Sequence, residues 1–203
     1  MPTTSVSNRD RSELRRQLRA TRRALTPRQR NLASLAATQH LLQHPWYQRA
    51  KRIALYYPIG SEADTTALFV AARQDGKQVF LPRILYRGGR LLFVRWDSGA
   101  DLSQRRHGIP QPRPASATDI AAARRLDLVI VPLLGFDAGG HRVGSGAGYY
   151  DRSFAFRQYR ARPPLVGFAF ACQKTAAFKP GNWDIPLDAI VTETGWLEPQ
   201  RGR

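Results

Sequence analysis

The run Leu128-Val129-Ile130-Val131 limits the possible folds more than any other stretch of the chain. It is apolar at every position and bounded by polar and proline residues, so it fits a short strand covered on both faces rather than one with a wet side. A similar run occupies residues 165–171, and a shorter one residues 189–192. Upstream, β-rich segments occupy residues 52–57, 77–82 and 90–96; Pro58 and Gly60 end the first, and Gly88-Gly89 form a turn before the last.

Helical patterns alternate with these strands. In residues 9–25, Leu14, Leu18 and Leu25 form a narrow apolar stripe among arginines. Thr26 and Pro27 then read as the N-cap and first residue of a second helix, which passes Leu32, Leu35, Ala36 and Leu42 and stops at Pro45. Further helices are predicted through Leu68 and Val70 to Gly76, over residues 116–125, and over residues 149–159. Alternation of this kind predicts an α/β fold: a three-layer, Rossmann-like sandwich with a mostly parallel sheet, helices on both faces and two basic N-terminal helices. Ligands of such sheets bind at the carboxyl ends of the strands, which directs attention to the loops after Tyr57, Val131 and Ala171. With 203 residues the chain can bury one sizeable core, so residues 1–203 are expected to form one domain, with residues 1–8 frayed and residues 98–117 a Pro- and Arg-rich surface connection.

Composition narrows the function classes. No apolar stretch approaches the ~20 residues of a membrane span, and no signal-peptide pattern opens the chain, so a cytoplasmic protein without membrane association is expected. Cys172 is the only cysteine. It excludes an intramolecular disulfide and a cysteine metal cage, and its place at the end of an apolar run predicts a small buried residue. The net charge of +17 implies anionic partners, whether nucleic acid, membrane surface, or phosphorylated and polycarboxylate small molecules, without choosing among them. Only Lys51, Lys77, Lys174 and Lys179 of the 32 basic residues are lysine, so codon bias toward arginine explains the charge equally well.

The segment after the central strand, PLLGFDAGGHRVGSGAGYYD, is the richest in chemistry. Gly144, Gly146 and Gly148 alternate with small residues and allow a backbone to approach a phosphate and turn its N–H groups toward it. Arg142 precedes them as a phosphate-pairing cation, and Tyr149-Tyr150-Asp151 follow with two rings and a carboxylate able to hold Mg²⁺. No Gly-Lys-Ser/Thr follows, so this is not a P-loop. Together Pro132, Phe136, Asp137, Arg142, Val143, Gly144, Gly146, Gly148, Tyr149, Tyr150 and Asp151 resemble the signature of the 5-formyltetrahydrofolate cyclo-ligases.

The resemblance covers nearly the whole chain. It implies an ATP site made by Arg11 and Arg15 of the basic opening helix, by Arg142, Val143, Gly144, Ser145, Gly146, Ala147 and Gly148, and by Tyr149 and Tyr150. Because Ser145 and Ala147 are small, their contacts to phosphate are expected from the backbone. It further implies a reduced-folate site in which Glu62 accepts hydrogen bonds from the pterin and Tyr57 lines the pocket, with Gly146, Gly148 and Tyr149 alongside. Asp151 and Asp184 are implied as ligands of a Mg²⁺ that accompanies ATP. A turn through His107, Gly108, Ile109, Pro110 and Pro112 resembles one near the folate, and Trp183 stands where many members carry histidine. The implied activity is ATP-dependent closure of 5-formyltetrahydrofolate to 5,10-methenyltetrahydrofolate, with no assigned general base. A same-scaffold enzyme with another substrate and a basic nucleic-acid-binding protein are the alternatives; no zinc spacing or aromatic RNA-binding signature supports the latter, so no specific nucleic acid is expected.

Overall fold

The computed structural model describes residues 8–96, 102, 104–106, 108–114 and 116–199. Of the expected frayed terminus only Asn8 is among them, and it opens the first helix. Three helices come first: α1 (Asn8–Ala24), α2 (Pro27–Gln43) and the single turn α3 (Pro45–Arg49). The start of α2 follows from its sequence, since the Thr26 hydroxyl accepts from Gln29 N at 3.2 Å while the Gln29 side chain accepts from Thr26 N at 2.8 Å. The remaining elements are β1 (Arg52–Ala54), α4 (Thr66–Gln74), β2 (Gln78–Ile84), β3 (Leu91–Arg95), β4 (Gln104–Arg106), β5 (Ile109–Gln111), β6 (Ile120–Ala121), β7 (Leu128–Val131), β8 (Gly135–Phe136), β9 (Arg142–Val143), α5 (Tyr149–Ser153), β10 (Leu165–Phe168), β11 (Ala189–Thr192) and β12 (Gly195–Leu197).

Eight strands form one sheet in the order β12-β11-β10-β7-β1-β2-β3-β6. Its centre, β11-β10-β7-β1-β2, is parallel throughout, and antiparallel strands flank it on both sides. The apolar run of β7 lies in the middle, with all four residues buried. Its side chains alternate between two cores: Leu128 and Ile130 pack with Leu41 of α2 and Leu68 of α4, while Val129 and Val131 pack with Phe136, Phe154, Ile185 and Leu187. Both faces are dry, which is why no polar alternation appears along the strand. Helices α2 and α4 cover the first face, and α5 with its flanking loops covers the second.

Two predicted helices turn out differently. Residues 116–125 form β6 between two 3-10 turns, Ala117–Asp119 and Ala123–Arg125. Alanine-rich composition favours a helix there, but Ile120 and Ala121 pair with Val94 and Phe93 at the sheet edge, and the Asp119 carboxylate turns back to accept from Ser116 N at 2.8 Å. Within residues 149–159 the helix ends at Ser153 and resumes as a 3-10 turn, Ala155–Gln158. The break falls at Phe154, fully buried against Phe93, so burying that ring wins over continuing the helix. β12 has no counterpart among the expected strands.

Cys172 is exposed, contrary to expectation. The strand stops at Phe168, and a 3-10 turn, Ala171–Gln173, directs Gln173 inward instead. Its amide donates to Leu133 O and Leu134 O at 2.9 and 3.0 Å and its carbonyl accepts from Phe170 N, so the loops after β7 and β10 are joined through one buried side chain.

Candidate active site

A cleft of about 1360 Å³ opens at the carboxyl ends of β1, β2 and β7 and is roofed by α1. The loops after Tyr57 and Val131 line it as expected; the segment after β10 contributes Phe178, Trp183 and Asp184 instead of Ala171. Helix α1 is seated by Leu18, which packs with Leu134 and Val143 and lies so close to Gly135 that a β-carbon there would come within 2.5 Å of it. Glycine at position 135 therefore sets how near the arginine-bearing helix comes to the strand ends.

The helix works as a ruler along the cleft. At one end Arg11 donates to Asp184 Oδ2 at 3.3 Å and to Lys179 O at 3.0 Å. In the middle Arg15 Nε donates to Gly144 O at 3.1 Å, and its guanidinium lies 3.5 Å from where a β-carbon on Gly146 would stand. At the other end Arg22, 8% exposed, donates to Ser61 Oγ at 3.0 Å beneath the loop that carries Glu62. Eleven residues of α-helix from Arg11 to Arg22 correspond to roughly 16 Å. Burial lowers the pKa of Arg15, and neighbouring Arg11 and Arg19 lower it further. Burial likewise lowers that of Arg22, opposed by Glu62.

The glycine loop lies against the middle of that ruler. Gly146 (φ +105°) and Gly148 (φ +65°) hold backbone conformations that side chains rarely adopt. Among the described residues no N–H of residues 144–148 donates to another protein group, so a row of donors remains for an anion in the cleft. The following helix has only five residues, so the attraction rests on these N–H groups and on Arg15 more than on a helix dipole. Arg152 supports the loop from outside, donating to Ala147 O at 2.6 Å and to Gly89 O at 3.2 Å.

The implied metal carboxylates are each tied to an arginine. Arg142 donates to Asp151 Oδ1 at 2.8 Å and to Ile185 O at 2.8 Å, and Ile185 N donates to the same Asp151 oxygen at 3.1 Å. Asp184 Oδ2 accepts from Arg11 and from Gly181 N, the latter at 2.7 Å. The two aspartates are thus neighbours across the Asp184-Ile185 peptide. Asp151 Oδ2 and Asp184 Oδ1 accept no hydrogen bond among the described residues. A pair of free carboxylate oxygens lining the same cleft as the glycine loop fits Mg²⁺, which commonly takes one or two carboxylates together with phosphate and water.

Glu62 occupies the opposite end. Its Oε2 accepts from Ile59 N at 3.0 Å. Burial pushes its pKa above the ordinary carboxylate range, against the pull of that N–H and of Arg22. Tyr56 is buried with its hydroxyl donating to Ala63 O at 2.7 Å, and Tyr57, 38% exposed, lines the cleft wall. Burial and the nearby Glu62 charge raise the Tyr150 pKa, keeping its phenol protonated. Ile109, Pro110 and Gln111 close this end; His107 lies outside the described residues. Asp137 is 1% exposed and accepts from the backbone N–H of His141 while pairing with its ring Nδ1, so it shapes the β8–β9 hairpin rather than the cleft.

Every residue implied for ATP, folate or metal lines this one cleft. The sequence profile of the 5-formyltetrahydrofolate cyclo-ligase family matches residues 7–193. The chain belongs to this family. It is a cyclo-ligase enzyme, 34% identical over 177 residues to the 5-formyltetrahydrofolate cyclo-ligase of Escherichia coli, covering 86% of this chain and 96% of that one. The cyclo-ligase of Haemophilus influenzae is 32% identical over 187 residues, 92% of this chain and 99% of that one. Among solved structures, the 5,10-methenyltetrahydrofolate synthetase of Aquifex aeolicus superposes with a TM-score of 0.79 at 31% identity, covering 95% of this chain and 94% of that one. No helix among the described residues is long and apolar enough to cross a membrane.

Three contributors to the site escape a reading of the sequence. Arg22 follows Arg15 by two helical turns and shares its face of the helix, but nothing along the chain separates it from the other arginines of α1; its burial is decided by how the helix is seated. Arg152 and Gln173 carry no signal in the sequence: Arg152 joins Ala147 O to Gly89 O, 63 positions away, and Gln173 reaches Leu133 O, 40 positions away.

Proposed function

We propose that this chain closes 5-formyltetrahydrofolate to 5,10-methenyltetrahydrofolate, consuming ATP and releasing ADP and phosphate. The reading is supported by one juxtaposition: an arginine-backed glycine loop with unused N–H donors shares a cleft with a half-buried glutamate flanked by tyrosines. The cleft is larger than the ~300–1,000 Å³ typical of a single small-molecule site, which suits two substrates side by side. Its lining carries eight arginines against three carboxylates, so positive charge is concentrated where anions would bind.

In this reading the triphosphate lies along residues 144–148, held by their N–H groups and by Arg15. The pterin lies at Glu62, whose carboxylate accepts from adjacent ring N–H donors, with Tyr57 against the ring. The formyl oxygen then faces the γ-phosphoryl group. Transfer of that group to the formyl oxygen breaks its bond to the β-phosphate, releases ADP and leaves an imidate phosphate at carbon. The anilino nitrogen attacks that carbon, loses its proton, and phosphate departs with the former formyl oxygen. Arg15 and the loop N–H groups stabilise the charge on the transferring phosphoryl, and alignment supplies the rest. Asp151 and Asp184 would hold Mg²⁺ through their free oxygens, and the ion when bound supplies charge neutralisation at the phosphates. Arg142 and Arg11 keep those two carboxylates oriented. We place the enzyme in the cytoplasm, where a lone exposed thiol stays reduced.

Incubation of the purified protein with 5-formyltetrahydrofolate and Mg-ATP, followed by the near-ultraviolet absorbance of the methenyl product, tests the reading. Absence of ATP-dependent product formation would sink it.

A further inference from the structure

Trp183 is 69% exposed, an unusual state for the largest apolar side chain, and it stands on the rim of the cleft. The turn that carries it is tied down by hydrogen bonds. Gly181 N donates to Asp184 Oδ2 at 2.7 Å and Asp184 N to Gly181 O at 3.0 Å, closing a tight turn around the tryptophan. Arg11 pins the same turn through Asp184 and Lys179 O. One edge of the indole packs on Gly181, where a β-carbon would come within 3.2 Å of the ring, so the absence of a side chain at 181 seats it. An exposed aromatic ring on a hydrogen-bonded turn leaves only its two side-chain torsions to be ordered on binding, so it presents a face at small entropic cost.

We infer that Trp183 is the platform on which the adenine ring of ATP stacks. The assignment rests on the reading of the cleft as an ATP and folate site, and it follows from the order of groups along α1. Asp184 and Trp183 lie at the Arg11 end, the glycine loop at Arg15, and Glu62 at the Arg22 end. Phosphoryl transfer requires the γ-phosphate to point toward the folate, hence toward Glu62. The nucleoside must then extend the opposite way, past Arg11, to the turn that carries Trp183. A purine is a flat π-system whose face meets an indole well, and such stacking tolerates differences between bases while favouring the larger purines. The selectivity it confers is for purine over pyrimidine triphosphates.

The test compares wild type, Trp183→Ala and Trp183→Phe in the Mg-loaded enzyme. Trp183→Ala is expected to raise KM for ATP about tenfold, within the range for loss of one base–aromatic stack, while kcat and KM for the folate stay within about twofold. Preference for ATP over CTP and UTP should fall in the same variant, and Trp183→Phe should recover most of both. Inorganic tripolyphosphate separates the phosphate contacts from the stacking: it should compete with ATP equally well in wild type and Trp183→Ala, since it has phosphates but no base. Failure of tripolyphosphate to compete in wild type overturns the phosphate-loop reading, and this assignment with it. Normal competition with an unchanged KM for ATP in Trp183→Ala overturns the stacking assignment alone. A rise in KM for the folate instead of ATP would give the ring to the folate and reject the proposal.

Discussion

The two ends of the cleft use the same functional group in opposite ways. Asp151 and Asp184 each share an oxygen between an arginine and a backbone N–H, and each keeps a second oxygen free. Glu62 receives one N–H and no arginine hydrogen bond among the described residues; the hydrogen bonds Arg22 makes go to Ser61 and Leu133. Its pKa is raised by burial, whereas each aspartate has a guanidinium against it as counter-charge. The first arrangement suits a permanently charged ligand such as metal-phosphate. The second suits a heterocycle with N–H donors, which binds a carboxylate without demanding a full counter-charge. Environment, more than residue type, divides the cleft into its two halves.

The contrast can be broken at several points. The largest effect is expected from Gly146→Val: at φ +105° a β-branched residue is strained, and its side chain would project toward Arg15. Loss of kcat/KM by about 1,000-fold or more, with ATP binding abolished in calorimetric titration and no recovery by added magnesium, is the expected outcome. Normal ATP binding by this variant would remove the phosphate role of the loop.

Glu62→Ala comes next. It should weaken folate binding by about 2–3 kcal/mol, the range for losing a charge-assisted pair, while ATP affinity stays close to wild type. Equal loss of both ligands would show that the two halves of the cleft are not independent.

Asp151→Asn tests the other half. It should raise the Mg²⁺ concentration for half-maximal turnover about tenfold, with partial rescue by excess metal. The pairing with Arg142, whose side chain is 7% exposed, adds a stability cost: an unpaired buried guanidinium should lower Tm by roughly 2–4 °C for each kcal/mol lost in a chain of this size. A lowered Tm with unchanged magnesium dependence would reduce Asp151 to a partner of Arg142.

The smallest effect concerns stability and pH. Because burial raises the Glu62 pKa above its ordinary value of 4.5, its ionised form costs the folded state stability at neutral pH. Glu62→Gln should therefore melt slightly higher than wild type, by no more than about 3 °C. The gap should be absent below the ordinary glutamate pKa, open as pH rises through the raised one, and stay constant above it. Melting curves that differ at low pH and converge at high pH would reverse the sign and place Glu62 among the paired carboxylates.

Much of this division is legible in the amino-acid sequence. The glycine loop, Arg142 and the tyrosines that follow are contiguous, so their joint chemistry is written in one segment of twenty residues, 132–151. Arg11 and Arg15 are visible as a basic helix face. The pairing of Arg11 with Asp184 is not, because the partners are separated by 173 positions and nothing local marks either for the other. The same applies to Arg22: a surface arginine and a buried one look alike in sequence, and only the seating of α1 on Gly135 decides between them.

The features that can be read from the chain alone are those that depend on neighbours along it. The doubly apolar β7 could only be an interior strand, Thr26-Pro27 could only start a helix well, and Gly146 and Gly148 allowed a backbone that other residues resist. Long-range packing settled the others. Residues 116–125 became a sheet edge because β3 offered unpaired backbone groups, and Cys172 turned outward because Gln173 was needed inside to satisfy Leu133 O and Leu134 O. In both cases the deciding term is a hydrogen bond to a segment distant in sequence. An unpaired buried polar group costs about 1–3 kcal/mol, more than the few tenths by which local propensity favours one conformation over another.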